Sequence, residues 1–136
     1  MHNNTRHRAL IVDDSPYLLM SLKRLLAGMS DAWEILFSDS PVAALELMRE
    51  APVDVLITDQ QMPVMIGSEL VHKIHQLCPK TTCIIMTGSD QDADQLRKDQ
   101  DVKGVLLKPC TSAEMRSAII NANPQFSNAT THKMSA

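Results

Sequence analysis

Cysteine is scarce in this chain, and the three present, Cys78, Cys83 and Cys110, are odd in number and form no C-x-x-C pair. This excludes a disulfide framework and a cysteine zinc cluster, and the three are read as free thiols. Excess positive charge is also missing. With a formal net charge of −3, the chain has no general attraction to phosphate backbones, and direct nucleic-acid binding is not expected. Long hydrophobic runs are absent too: the run at 53–57 falls far short of the ~18 residues that a membrane span requires. The polar start MHNNTRHR lacks the apolar centre of a signal peptide. The expected location is therefore the cytoplasm, without membrane contact. There is no internal repeat and no interdomain linker, and 136 residues leave room for one domain.

What is present is a regular alternation. Apolar runs at 9–12, 35–37, 53–58, 83–86 and 102–107 are the candidate strands, and runs this continuous suit strands buried on both faces. Between them Leu18, Leu22, Leu25 and Met29 recur at helical spacing, as do Leu70, Val71, Ile74 and Leu77, giving each segment one stripe to lay on a sheet. Met20, Met48, Met86 and Met115 are read as core fillers. Ser15-Pro16 and Ser40-Pro41 each place a capping hydroxyl before a proline, whose missing N–H is harmless at the first helical position. Thr111 and Glu114 form a capping box. Five β-α units with short links predict a doubly wound α/β fold: a parallel sheet with helices on both faces. The fourth helix, at 91–100, has only Ala93 and Leu96 as apolar anchors and is expected to be short and loosely held. Residues 1–7 are read as an arm, 8–123 as the domain and 124–136 as a polar tail in which Phe126 is the one candidate to tuck back onto the domain.

Ligands of open α/β sheets bind outside the carboxyl ends of the strands, and those ends are strongly polar here. The first run ends in Asp13 and Asp14, the third in Asp59, the fourth in Thr87 and the fifth in Lys108-Pro109. With strand order 2-1-3-4-5, strands 1 and 3 adjoin at the topological switch point and the three aspartates share one crevice. Such a cluster binds protons more tightly unless a cation compensates, and hard oxygen ligands with room for water describe a magnesium site. Phosphoryl transfer needs a positioned nucleophile and positive charge around the equatorial oxygens. Asp59 offers a carboxylate nucleophile, while Lys108 and the Thr87 hydroxyl would bind the oxygens. His72 and His75, three apart on a predicted helix, are a possible metal pair. The neighbouring sequence offers no third ligand, and they are read as a solvated helix face.

The motifs V-D-D-S at 12–15, D-Q-Q-M-P-V-M-I-G at 59–67, M-T-G at 86–88 and L-K-P at 107–109 together resemble the response-regulator receiver family, over residues 8 to about 123. The resemblance implies a flavodoxin-like five-stranded sheet and a Mg2+-dependent phosphoryl acceptor at Asp59. It also implies that Asp14, Asp59 and the backbone carbonyl of Gln61 ligate magnesium, or manganese in its place, with Asp13 acting directly or through water. A cis peptide is expected before Pro109. Implied partners are a histidine kinase or histidine phosphotransfer protein as donor and an effector protein in trans. The implied chemistry is limited to the chain's own phosphorylation and dephosphorylation, and a phosphorelay intermediate or phosphate sink is the alternative role. One position departs from the family: many receivers carry an aromatic three residues before the lysine, where this chain has Val105. The expected readout is therefore reordering of residues 89–101. A haloacid-dehalogenase-like phosphatase would place its nucleophile at the end of the first strand in a D-x-D pattern. A flavodoxin would follow that strand with a hydroxyl-rich phosphate loop. Neither is found.

Overall fold

The computed structural model describes residues 6–122; Phe126 lies outside them. Five strands, β1 (His7–Val12), β2 (Trp33–Ser38), β3 (Val55–Asp59), β4 (Thr82–Thr87) and β5 (Gly104–Leu107), alternate with five helices. The helices are α1 (Pro16–Leu25), α2 (Pro41–Glu50), α3 (Gly67–Leu77), α4 (Asp90–Leu96) and α5 (Ser112–Ala122). The strands form one parallel sheet in the order 2-1-3-4-5.

Successive strand residues point to opposite faces, which splits the apolar residues into two cores. Leu10, Val12, Leu56 and Ile85 face α2 and α3, where they meet Ala44, Met48, Leu70 and Ile74. Ala9, Ile11, Val55, Ile57 and Met86 face α1 and α5, where they meet Leu19, Leu22, Met115 and Ile119. Every residue of β3 is buried, as befits a central strand covered on both sides.

The helix starts follow their local chemistry. Ser15 Oγ accepts the Leu18 N–H and Ser40 Oγ accepts the Ala43 N–H, each before a proline at the first turn. Thr111 and Glu114 close the capping box in both directions, at 2.7 and 3.0 Å.

Several boundaries differ from the expected ones, for local reasons. β3 starts at Val55: the Asp54 backbone still donates to Arg8 O and accepts from Thr82 N–H, but the Arg8 N–H goes to the Asp54 carboxylate at 2.8 Å and not to a backbone carbonyl. β5 starts at Gly104 because Val102 donates back to the Asp99 carbonyl in a turn. α4 stops at Leu96, short of residue 100: Lys98 and Asp99 bond three residues back, and the Asp99 side chain caps the Asp101 N–H at 2.9 Å. The stripe buried by α1 and the short 3-10 turn that follows it at Ala27–Met29 is Leu19, Leu22, Leu26 and Met29. Leu25 (53% exposed) and Met20 (57%), the latter expected as a core filler, point outward, because each residue turns a helix by about 100° and the buried stripe is set out of phase with the expected one; Leu77 (44%), the last residue of α3, is exposed as well. The three cysteines are free thiols, and burial pushes the Cys83 thiol up to about 12, with the nearby Asp101 charge adding to it.

Candidate functional site

The parallel register brings the polar strand ends to one edge of the sheet. Asp13 follows β1 and its N–H donates to Ser38 O; Gln60, just past β3, donates its N–H to Met86 O; Lys108 donates its N–H to Thr87 O. The carboxylates of Asp13, Asp14 and Asp59 consequently offer oxygens all within 4.8 Å of one another. Lys108 Nζ stands 3.0 Å from Asp59 Oδ1 and 3.6 Å from Asp13 Oδ2. Asp13, Asp59 and Thr87 are buried, whereas Asp14 is exposed. The Lys108-Pro109 peptide is cis, as expected. Lys108 is not the freely exposed lysine a strand end suggests: its side chain is 32% exposed and ion-paired.

The electrostatics are unbalanced. Asp13 Oδ1 accepts the Ser15 N–H at 2.9 Å, but its Oδ2 is buried without any hydrogen bond. Burial, together with the charges of Asp59 and Asp14, raises the Asp13 carboxyl above the ordinary range, against the lowering effects of Ser15 and Lys108. Burial pulls the Lys108 ammonium down, yet its hydrogen bond to Asp59 and the Asp13 and Asp59 charges win, so its pKa ends above the usual lysine value. A pocket with three carboxylates, one ammonium and an orphaned oxygen has a deficit of positive charge that a hard cation would fill.

Further residues matter that the motif reading quoted without a role. Gly67, the first residue of α3, lies against the active-site backbone: a Cβ there would be 2.4 Å from Asp59 O. Gln60 is buried, and its side-chain oxygen takes the Ser68 N–H at 2.8 Å, tying the loop after β3 to α3. The only sequence signal for this grip is the glycine eight residues after Asp59. Thr87 Oγ1 accepts the Ser89 N–H at 3.2 Å, Ser89 Oγ accepts the Asp92 N–H at 3.1 Å, and Asp92 Oδ2 accepts Gln61 Nε2 at 3.2 Å. The loop after β3 and the start of α4 are thus linked through hydrogen bonds. Val105 is half-buried against the core shared by α2 and α3.

The reading of His72 and His75 as lacking a third ligand is corrected by the fold. Asp99 and Asp101, distant in sequence, fold beside them, with His72 Nε2 2.7 Å from Asp99 Oδ2.

Comparison with known proteins agrees with this fold. The model of the family described as response regulator receiver domain matches residues 9–120. The chain is 36% identical over 117 residues to the sensor histidine kinase TmoS of Ectopseudomonas mendocina, covering 84% of this chain and 12% of that protein. It is 33% identical over 103 residues to a response regulator receiver protein of Anaeromyxobacter sp. (strain Fw109-5), covering 75% of this chain and 42% of that protein. The chain therefore spans less than half the length of either curated relative. A crystal structure of a response regulator receiver domain protein from Clostridium thermocellum superimposes with a TM-score of 0.78 at 30% identity, covering 90% of this chain and 98% of that one.

Fold and site define a phosphoryl-accepting signalling domain with an acidic pocket able to hold a metal ion. The chain belongs to the response regulator receiver family of two-component systems, whose members interact with histidine kinases or phosphotransfer proteins. The dehalogenase-like reading is not favoured. Among the described residues no helix is long and apolar enough to cross a membrane.

Proposed function

We propose that Asp59 is the phosphoryl acceptor, that Lys108 and Thr87 bind the transferred group, and that residues 8–123 act as a switch read by an effector protein in trans. The observation that carries this reading is the pairing of the buried Asp59 carboxylate with Lys108 at 3.0 Å, beside a second buried carboxylate, Asp13, whose Oδ2 has no hydrogen bond and only the more distant Lys108 charge at 3.6 Å. One Asp59 oxygen forms a bond to phosphorus as the bond from phosphorus to the donor's imidazole nitrogen breaks, the electron pair returning to the imidazole. The Lys108 ammonium, held at the same carboxylate, then meets the new phosphoryl oxygens as a point charge. The Thr87 hydroxyl lies at the end of the neighbouring strand for the same purpose.

Asp14, Asp59 and the Gln61 backbone carbonyl are the proposed ligands of magnesium, or manganese in its place, with Asp13 acting directly or through water; the orphaned Asp13 oxygen fits such an ion. Bound there, the ion supplies the positive charge that neutralises the incoming phosphoryl group. Drawing Thr87 toward the phosphoryl oxygens would pull on Ser89 and hence on α4, the output element, without an aromatic at Val105. Neither direct nucleic-acid binding nor a separate catalytic turnover is part of this proposal, and a cytoplasmic location is.

Incubation with acetyl phosphate and Mg2+ followed by intact-mass measurement is expected to show one added phosphoryl group, absent in Asp59→Asn. Undiminished labelling of that variant would falsify the assignment.

A further inference from the structure

His72 and His75 project from α3 toward Asp99 and Asp101, which lie in the connection between α4 and β5. His72 Nε2 is 2.7 Å from Asp99 Oδ2 and 3.9 Å from Asp101 Oδ2, and His75 Nε2 is 3.5 Å from Asp101 Oδ1. The His72, Asp99 and Asp101 ligand atoms all lie within 4.8 Å of one another. Zn–N and Zn–O bonds of about 2.0–2.2 Å place neighbouring ligand atoms of a tetrahedral zinc site about 3.3–3.5 Å apart. The observed separations straddle that value. The imidazoles are half-exposed, so small side-chain rotations suffice and the ion has open access.

From this convergence we propose a second metal site, formed by His72, Asp99 and Asp101 with His75 as a fourth ligand, that takes a borderline transition ion of the zinc class. Mixed imidazole and carboxylate donors favour zinc over magnesium, whereas the all-oxygen pocket at Asp59 favours magnesium. The two sites are thereby chemically distinct. They are also spatially distinct: Asp59 ends its strand, while Asp99 and Asp101 precede the amino end of β5. An ion bound there ties α3 to the segment that leaves α4, on the side of the sheet remote from phosphorylation. A simple ion-pair cluster is the competing explanation, and it predicts no metal dependence.

The full chain, kept in saturating Mg2+ so that the acidic pocket is filled, is titrated with Zn2+ by calorimetry. One equivalent is expected to bind, with His72 and His75 imidazole nitrogen resonances shifting in NMR spectra. His72→Ala and Asp99→Asn should each weaken binding by at least the ~10- to 100-fold that loss of a mere outer-shell partner costs. Asp99→Asn keeps a side-chain oxygen for the Asp101 N–H, so the turn survives while the ligand charge is lost. Acetyl-phosphate labelling should persist in both variants and serves as the check that they fold. Absence of Zn2+ binding in the wild type, or unchanged Zn2+ affinity in His72→Ala, overturns the site; neither result bears on Asp59.

Discussion

Replacing Gly67 with alanine asks whether the α3 start holds the active-site backbone in place. The new methyl carbon would stand 2.4 Å from Asp59 O, 3.0 Å from Gln60 Cα and 3.0 Å from Gln60 Oε1. The first of these is about 1 Å inside ordinary contact, a gap that a packed interior cannot absorb without moving. Asp59 O cannot easily retreat, since the Thr58 hydroxyl donates to it at 3.0 Å. Gln60 is likewise pinned: its N–H goes to Met86 O at 2.9 Å, and its own carbonyl takes the Gly67 N–H at 3.0 Å. Overpacking of this kind destabilises by about 1–3 kcal/mol, offset by less than the roughly 0.5–1 kcal/mol that alanine gains over glycine in a helix interior, since Gly67 is the first helical residue. A net loss of about 1–2 kcal/mol is expected in urea unfolding. The larger effect falls on chemistry, because a ~1 Å displacement of a reacting group can slow a reaction on the order of 100-fold. Acetyl-phosphate labelling of Gly67→Ala, followed by mass spectrometry in saturating Mg2+, is expected to slow by about that factor while the fold persists. Wild-type labelling together with an unchanged unfolding midpoint would refute the reasoning.

Asp13→Asn should stabilise the metal-free protein at neutral pH by on the order of 1 kcal/mol, the scale for a buried acceptor left without a donor. Because the folded state raises the Asp13 pKa above 3.8, its destabilising contribution is absent below that value, grows as pH rises through the folded pKa, and is full above it. Unfolding midpoints of wild type and variant, measured in chelator, should therefore converge in acid; a constant gap would contradict this. The elevated Lys108 pKa has the opposite sign: its contribution is present below 10.5 and lost as pH rises through the folded value, so mildly alkaline solutions should leave it intact. Val64 carries a φ of 75° and is 87% exposed, a left-handed conformation that a β-branched side chain tolerates poorly. Val64→Asn should raise stability by about 1 kcal/mol, and a lowered thermal midpoint would count against the strain. Beryllofluoride with saturating Mg2+ should change hydrogen exchange at residues 89–101, because α4 spans only seven residues with Ala93 and Leu96 as buried anchors. Changes confined to other faces would rule out α4 as the output.

The alternation of apolar runs, the serine caps and the polar strand ends were legible in the sequence because each depends on residues within about four positions of one another. Those short-range signals sufficed for a five-stranded doubly wound sheet and for the gathering of Asp13, Asp14, Asp59, Thr87 and Lys108, since parallel topology sends every strand's carboxyl end to one edge. Finer distinctions needed the tertiary structure. The motif assigns Asp13 and Asp14 different roles but does not say that Asp13 is buried with an oxygen lacking a hydrogen bond while Asp14 is exposed. Nor does the sequence say that Leu26 faces inward and Leu25 outward, because that depends on where α1 meets the sheet. The closeness of Gly67 to Asp59, the bond from Gln61 to Asp92 and the meeting of His72 with Asp99 join segments whose distance is set by how the crossovers pack. Local propensity chose the elements; only their packing decided which side chains share a charge.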